Sequence, residues 1–252
     1  MICDIEMHNT PADGLQITPA DGLQPPLSSN VIPKFRMEFN MAEKQITSEW
    51  TGIKGKIMAW GLSNPLMRRF EFLLIGDYMS TFLREVFHII KDNQVILDVG
   101  AGSGYFSLAV AKKLSTGKVI CLDLSEIMLQ HLEHNAEKKS LRDRIQILRA
   151  EASSSGLEDE SVDLVFSNFV FHELSNPETV LSEIFRVLKP RGWVIITDFK
   201  RDTLIGNLIG AFHREAHGPF RVNELDTLLA KVGLSSVKIR QGRQYIIGLG
   251  RK

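Results

Sequence analysis

Apolar and polar positions follow three different rhythms along the chain. Residues 1–33 carry no sustained hydrophobic period and are rich in Pro, Asp, Gly, Ser and Asn. They hold a tandem repeat, Thr10-Pro11-Ala12-Asp13-Gly14-Leu15-Gln16 and Thr18-Pro19-Ala20-Asp21-Gly22-Leu23-Gln24. Each copy offers one Leu between turn-forming residues, too little apolar surface to offset the entropy of folding, so a disordered tail is expected. Residues 34–91 change to a helical period, with helices expected over 42–58, 64–75 and 77–90. In the last of these, Met79, Phe82, Leu83, Val86, Phe87 and Ile90 form one apolar stripe, and Asn64-Pro65 reads as a cap and first-turn proline.

From Asp92 the pattern becomes short apolar runs alternating with helical stretches. Strands are expected near 95–99, 118–122, 145–149, 162–167, 193–198, 236–240 and 244–249. Short connections between alternating strands and helices predict a doubly wound, mostly parallel α/β sheet of seven strands. The last two runs are close enough to form a hairpin through Gln241-Gly242-Arg243, so the sheet should end with an antiparallel strand. Three parts are therefore expected: a tail (1–33), a helical cap (34–91) and the sheet domain (92–252).

The strongest chemical signal is Val95-Ile96-Leu97-Asp98-Val99-Gly100-Ala101-Gly102-Ser103-Gly104-Tyr105. A buried strand runs into glycines that allow positive φ and a close approach of the backbone to a ligand. The helix opening at Tyr105 points its free N–H groups back at that ligand. A dinucleotide fingerprint requires Gly-x-Gly-x-x-Gly, but here the third glycine comes one residue early, at Gly104. Asp98 would also repel a pyrophosphate, whereas it suits an ammonium group. The next apolar run ends in Asp123, about 20 residues further on, where ribose recognition places an acid. The competing role for Asp123 is a helix cap, since Ser125-Glu126 follow. A ligand with an amine, a carboxylate and a ribose, such as S-adenosylmethionine, fits both acids.

These segments resemble the class I S-adenosylmethionine-dependent methyltransferases, in the branch of the ubiquinone/menaquinone-biosynthesis C-methyltransferases. Val95–Gly104, Val119–Leu129, Ser161–Asn168 with His172-Glu173-Leu174, and Leu188–Asp198 match that family's motifs in order. The resemblance implies a Rossmann-like sheet, a cap that roofs the cofactor cleft, and S-adenosylmethionine as cofactor. It assigns cofactor binding to Asp98, Gly100, Ala101, Gly102, Gly104, Tyr105, Asp123, Leu124, Met128, Glu151, Ala152 and Ser167. Asp123 would hold the ribose, Leu124 and Met128 the adenine faces, and Ser167-Asn168 the amino-acid end through their backbone. Glu151-Ala152 replace the usual Asp-Ala at the adenine amino group, with a surface salt bridge as the alternative for Glu151.

His172 is the candidate catalytic base, with a hydrogen-bonding role in its own loop as the alternative. Met58, Trp60, Met67, Phe70 and Tyr78 are candidates to face substrate. His213 and His217 would share a helix face, but Glu215 is misplaced for a zinc-protease pattern and no metal is expected. In the turn before the fifth strand the family's Lys-Pro-Gly-Gly is Lys189-Pro190-Arg191-Gly192, so the positive φ is expected at Gly192.

Composition narrows the acceptor. Thirty basic and thirty acidic residues give no net charge, and no basic track marks a nucleic-acid partner. Ser167-Asn168-Phe169-Val170 also departs from the Asn-Pro-Pro-Tyr of base-methylating enzymes. Two cysteines, Cys3 and Cys121, imply a reducing, cytoplasmic setting and too few thiols for arsenite methylation. No run reaches the ~20 apolar residues of a membrane span, and no signal peptide is evident. The expected function is methyl transfer to a small-molecule acceptor, hydrophobic in view of the apolar cap. The alternatives are a protein or RNA methyltransferase and a non-catalytic cofactor-binding module. Oligomeric state is not legible.

Overall fold

The computed structural model describes residues 65–212 and 216–252. The tail, its repeat, the expected helix over 42–58, Met58, Trp60 and His213 lie outside the described residues, as do the side chains of Met67 and Phe70. Among the described residues two helices precede the sheet, α1 (Pro65–Ile75) and α2 (Tyr78–Ile89). Asp77 caps α2, its carboxylate accepting the Ser80 N–H at 3.2 Å. Next come β1 (Val95–Val99), α3 (Tyr105–Ala111), β2 (Lys118–Asp123), α4 (Glu126–Lys138), β3 (Ile145–Arg149) and β4 (Val162–Asn168). The chain closes with α5 (Pro177–Val187), β5 (Leu188–Phe199), α6 (Leu204–Phe212), α7 (Val222–Lys231), β6 (Ser235–Gln241) and β7 (Tyr245–Arg251).

All seven expected strands are present, in the order β3-β2-β1-β4-β5-β7-β6. β1 to β5 pair in parallel, and β7 runs antiparallel to both β5 and β6. The last strand is thus reversed, as expected, but it lies one place in from the edge, which β6 forms. On one face of the sheet α2, α3 and α4 bury Phe82, Val86, Leu108 and Leu132 against Ile96, Cys121, Leu164, Phe166 and Ile195. On the other, α5 and α7 bury Leu181, Ile184, Leu225 and Leu229 against Leu97, Val165, Val194 and Ile196. Each fully buried Leu, Ile or Phe contributes about 1.5–3 kcal/mol, so the central strands read as unbroken apolar runs. Among the described residues no helix is long and apolar enough to cross a membrane.

The turn before β5 differs from expectation. β5 already pairs at Leu188 with Val162, and two steps along β4 then match five along β5. This bulge puts Arg191 at φ 68, and Gly192 is not among the positive-φ residues. Gly192 is required for space instead: a Cβ there would stand 2.9 Å from the Lys189 carbonyl and 3.1 Å from that of Asp163. Arg191 is held in its left-handed conformation because its N–H donates to the Lys252 carbonyl at 3.0 Å and its own carbonyl accepts from Arg251 Nε at 3.2 Å.

Candidate active site

Parallel winding brings the carboxyl ends of β1, β2, β3 and β4 side by side, where open α/β sheets place their ligands. At the end of β1 the N–H groups of Gly100 and Ala101 both donate to the Leu122 carbonyl of β2, which starts a sharp bend. Gly100, Gly102 and Gly104 have φ of 74°, 51° and 84°. Their surroundings differ. A Cβ on Gly100 would lie 2.3 Å from Val170 Cγ2, and one on Gly104 2.7 Å from Leu132 Cγ, whereas one on Gly102 would meet nothing within 4 Å. Gly100 and Gly104 therefore serve the protein's own packing, and Gly102 bares its backbone to open space.

Asp123 ties the bend to β2. Its Oδ2 accepts the Gly102 N–H and its Oδ1 the Ser125 N–H, each at 2.8 Å. The helix cap is Ser125, whose hydroxyl accepts the Met128 N–H at 3.3 Å. Burial raises the Asp123 pKa, against hydrogen bonds from the Ser125, Gly102 and Leu124 backbone. Asp98 is 2% exposed and accepts the Ser107 hydroxyl of α3. Burial pushes its pKa up to about 8, the Ser107 bond opposes this, and the charge of Asp123 adds to it. A carboxyl so placed gains most from a cationic partner.

The remaining expected cofactor residues lie in the bend after β1 and at or just beyond the ends of β2, β3 and β4. Ala101 is buried, and the half-buried Tyr105 lies edge-on to Phe106 at 5.3 Å. Beyond Asp123, Leu124 is half-buried and Met128 buried. Glu151 follows β3 and accepts the Ser153 hydroxyl at 2.7 Å, and the half-buried Ala152 packs against the α5–α7 core. The Ser167 hydroxyl donates to the Val99 carbonyl at 2.9 Å.

Just past β4, His172 is 3% exposed, and its Nδ1 lies 2.8 Å from Oδ1 of the fully buried Asp198 on β5. The other Asp198 oxygen accepts the His172 N–H at 3.0 Å, and the Phe199 N–H donates to Asp198 Oδ1 at 2.6 Å. Burial lowers the His172 pKa, but the charge and hydrogen bond of Asp198, with Glu173, outweigh it and the net shift is upward. The His172 carbonyl also accepts the Gly218 N–H at 3.0 Å, so the residue orders its loop as well. Neither Asp198 nor Ser107 was singled out from sequence. Both stand in quoted or adjacent segments, but only the strand register pairs them with His172 and Asp98. His217 corrects another expectation. It lies in a loop after α6, not on a helix, and stacks on Phe220 at 4.1 Å.

Comparison with known proteins agrees with this geometry. Residues 97–196 match the family model described as a methyltransferase domain. A malonyl-[acyl-carrier protein] O-methyltransferase of Methylococcus capsulatus is 35% identical over 155 residues, 62% of this chain and 53% of that protein. A ubiquinone/menaquinone biosynthesis C-methyltransferase of Roseobacter denitrificans is 30% identical over 162 residues, 64% of this chain and 61% of that one. The chain thus spans a little over half the length of these curated relatives. The crystal structure of a SAM-dependent methyltransferase from Aquifex aeolicus shares the fold with a TM-score of 0.60 at 24% identity, covering 77% of this chain and 96% of that one. Residues 97–196 thus match a methyltransferase domain, on a sheet whose fold is shared with a SAM-dependent methyltransferase.

Proposed function

We propose that this protein transfers a methyl group from S-adenosylmethionine to a small, apolar acceptor. The carrying observation is the bend in which Gly102 faces open space beside the buried Asp98 and the half-buried Asp123. Asp98 would face the ammonium and Asp123 the two ribose hydroxyls, with Leu124 and Met128 against the adenine and Glu151-Ala152 at its amino group. The main chain of Gly100, Ala101, Gly102, Gly104, Tyr105 and Ser167 would frame the amino-acid end. When bound, the cofactor supplies an electrophilic methyl on a sulfonium, so positioning carries much of the rate.

His172 is the group suited to accept a proton from the acceptor, with Asp198 fixing its ring and raising its basicity. The two relatives named above are described as methylating carbon in one case and oxygen in the other, and a base serves either. A small acceptor is further supported by the balanced surface charge. Calorimetric titration with S-adenosylmethionine and S-adenosylhomocysteine tests the reading. Wild type should bind both, and Asp123→Ala should lose about 100-fold in affinity while keeping its fold, two charge-assisted bonds being worth roughly 3 kcal/mol. No binding by wild type, or unchanged affinity in the variant, removes the assignment.

A further inference from the structure

Asn168 ends β4 and sits in register with Thr197 on β5. Both side chains are buried, and Asn168 Nδ2, Asn168 Oδ1 and Thr197 Oγ1 have no hydrogen-bond partner. These are the buried side-chain polar atoms left unpaired among the described residues. Leu and Val of similar size would fill the same space without that penalty, so the pair stands at a cost to stability that packing does not explain.

Strand alternation puts Asn168 and Thr197 on the face of Phe166 and Ile195, the face covered by α2. Asp98 lies on the same face of neighbouring β1, opposite Phe166. Around this end of the strands the rings are aromatic: Tyr78 of α2 stands edge-on to Phe169 at 5.0 Å, and Phe169 packs on Phe199 at 4.7 Å. Phe169 itself has φ 57, and its N–H donates to the Thr197 carbonyl at 2.8 Å.

We infer that Asn168 and Thr197 recognise a neutral hydrogen-bonding group, a hydroxyl or carbonyl, on a flat apolar acceptor that reaches them by displacing the Tyr78–Phe169 ring contact. The inference rests on the methyltransferase reading and narrows its acceptor. An amide and a hydroxyl offer donors and acceptors without charge, so neither supplies a cation to offset the desolvation of a carboxylate. Aromatic side chains complement a flat unsaturated body.

The test uses 2-naphthol, 2-naphthoate and 2-methylnaphthalene as probes, titrated into protein saturated with S-adenosylhomocysteine. Wild type should bind 2-naphthol about tenfold or more tighter than the other two, because a site built around a hydroxyl penalises its loss. Asn168→Leu and the nearly isosteric Thr197→Val should reduce that preference to about threefold or less while raising the melting temperature, each removing an unpaired buried polar group. The affinity of Thr197→Val for S-adenosylhomocysteine should stay within about twofold of wild type, since the cofactor is gripped elsewhere. If Asn168→Leu fails to fold, Thr197→Val carries the test. A wild type that binds S-adenosylhomocysteine but none of the probes, or all three equally, overturns the inference, as does full preference in the variants. A wild type that does not bind S-adenosylhomocysteine overturns the methyltransferase reading and this inference with it.

Discussion

The β1–β2 end of the site and the β4–β5 end are furnished in opposite ways. At the first, both acids are engaged, Asp98 by Ser107 and Asp123 by Gly102 and Ser125, and Asn135 bonds the Ser103 carbonyl. At the second, Asn168 and Thr197 hold unpaired polar atoms, although one strand face away Asp198 and His172 are tightly bonded. A site whose hydrogen bonds are already made keeps its shape for one invariant ligand. One with bonds left unmade draws its final partners from whatever enters. The proposed function gives the β1–β2 end to the cofactor and the β4–β5 end to the acceptor, in keeping with that contrast.

The sharpest way to break this division is at His172. His172→Gln should lower transfer to a hydroxyl acceptor about 10²–10³-fold while S-adenosylhomocysteine affinity stays within about twofold. Equal losses in both would place His172 in the cofactor half. Because Asp198 raises the His172 pKa above its ordinary 6.5, the wild-type rate should climb with pH above 6.5, and the variant should lose that limb.

Next comes a pair of glycines. Gly100→Ala forces a Cβ onto Val170 at positive φ and should cost about 2–4 kcal/mol of stability in a denaturant melt. Gly102→Ala meets no neighbour and should cost about 1–2 kcal/mol in the same melt, yet weaken cofactor binding in calorimetry. Similar stability losses at the two positions would end the distinction between a packing glycine and a ligand-facing one.

Asp98→Asn has a smaller effect, read through pH. With its folded pKa near 8 and an unfolded value near 3.8, the folded protein holds more protons between those limits. The contribution of Asp98 is therefore fully present below about pH 4 and is lost as pH rises through 8. Asn at this position should flatten that part of the stability profile. Wild-type affinity for the ammonium-bearing cofactor should rise over the same window, with proton release on binding at pH 7. An unchanged profile in the variant would assign the shift elsewhere.

The smallest effect lies outside both halves. Arg191→Gly relieves the left-handed strain in the β5 bulge but adds glycine's unfolded-state entropy, for a net gain of about 0.5–1 kcal/mol in a melt. A loss would show that the Arg191 side chain carries more than its backbone strain.

What could be read from the sequence follows from what is local. The glycine bend, Asp123 and all seven strands announce themselves by spacing and period within single segments. The Asp198–His172 pair spans 26 residues, and the unpaired state of Asn168 and Thr197 depends on a register between two strands. Neither leaves a periodic trace. The misplaced positive φ has the same origin. Gly192 looked like the residue needing freedom, but the bulge that moves the demand to Arg191 is created by pairing with β4 and by a bond to the Lys252 carbonyl, both distant in sequence.

One property of the bend reaches beyond binding. Asp123 holds Gly102 by a hydrogen bond of the protein's own, and on the proposed assignment it grips a sugar that is unaltered by turnover. The spent nucleoside then finds the same welcome as the fresh one, so the protein should be subject to strong product inhibition. Its pace would depend on how quickly the spent nucleoside is cleared, as much as on any step at the acceptor.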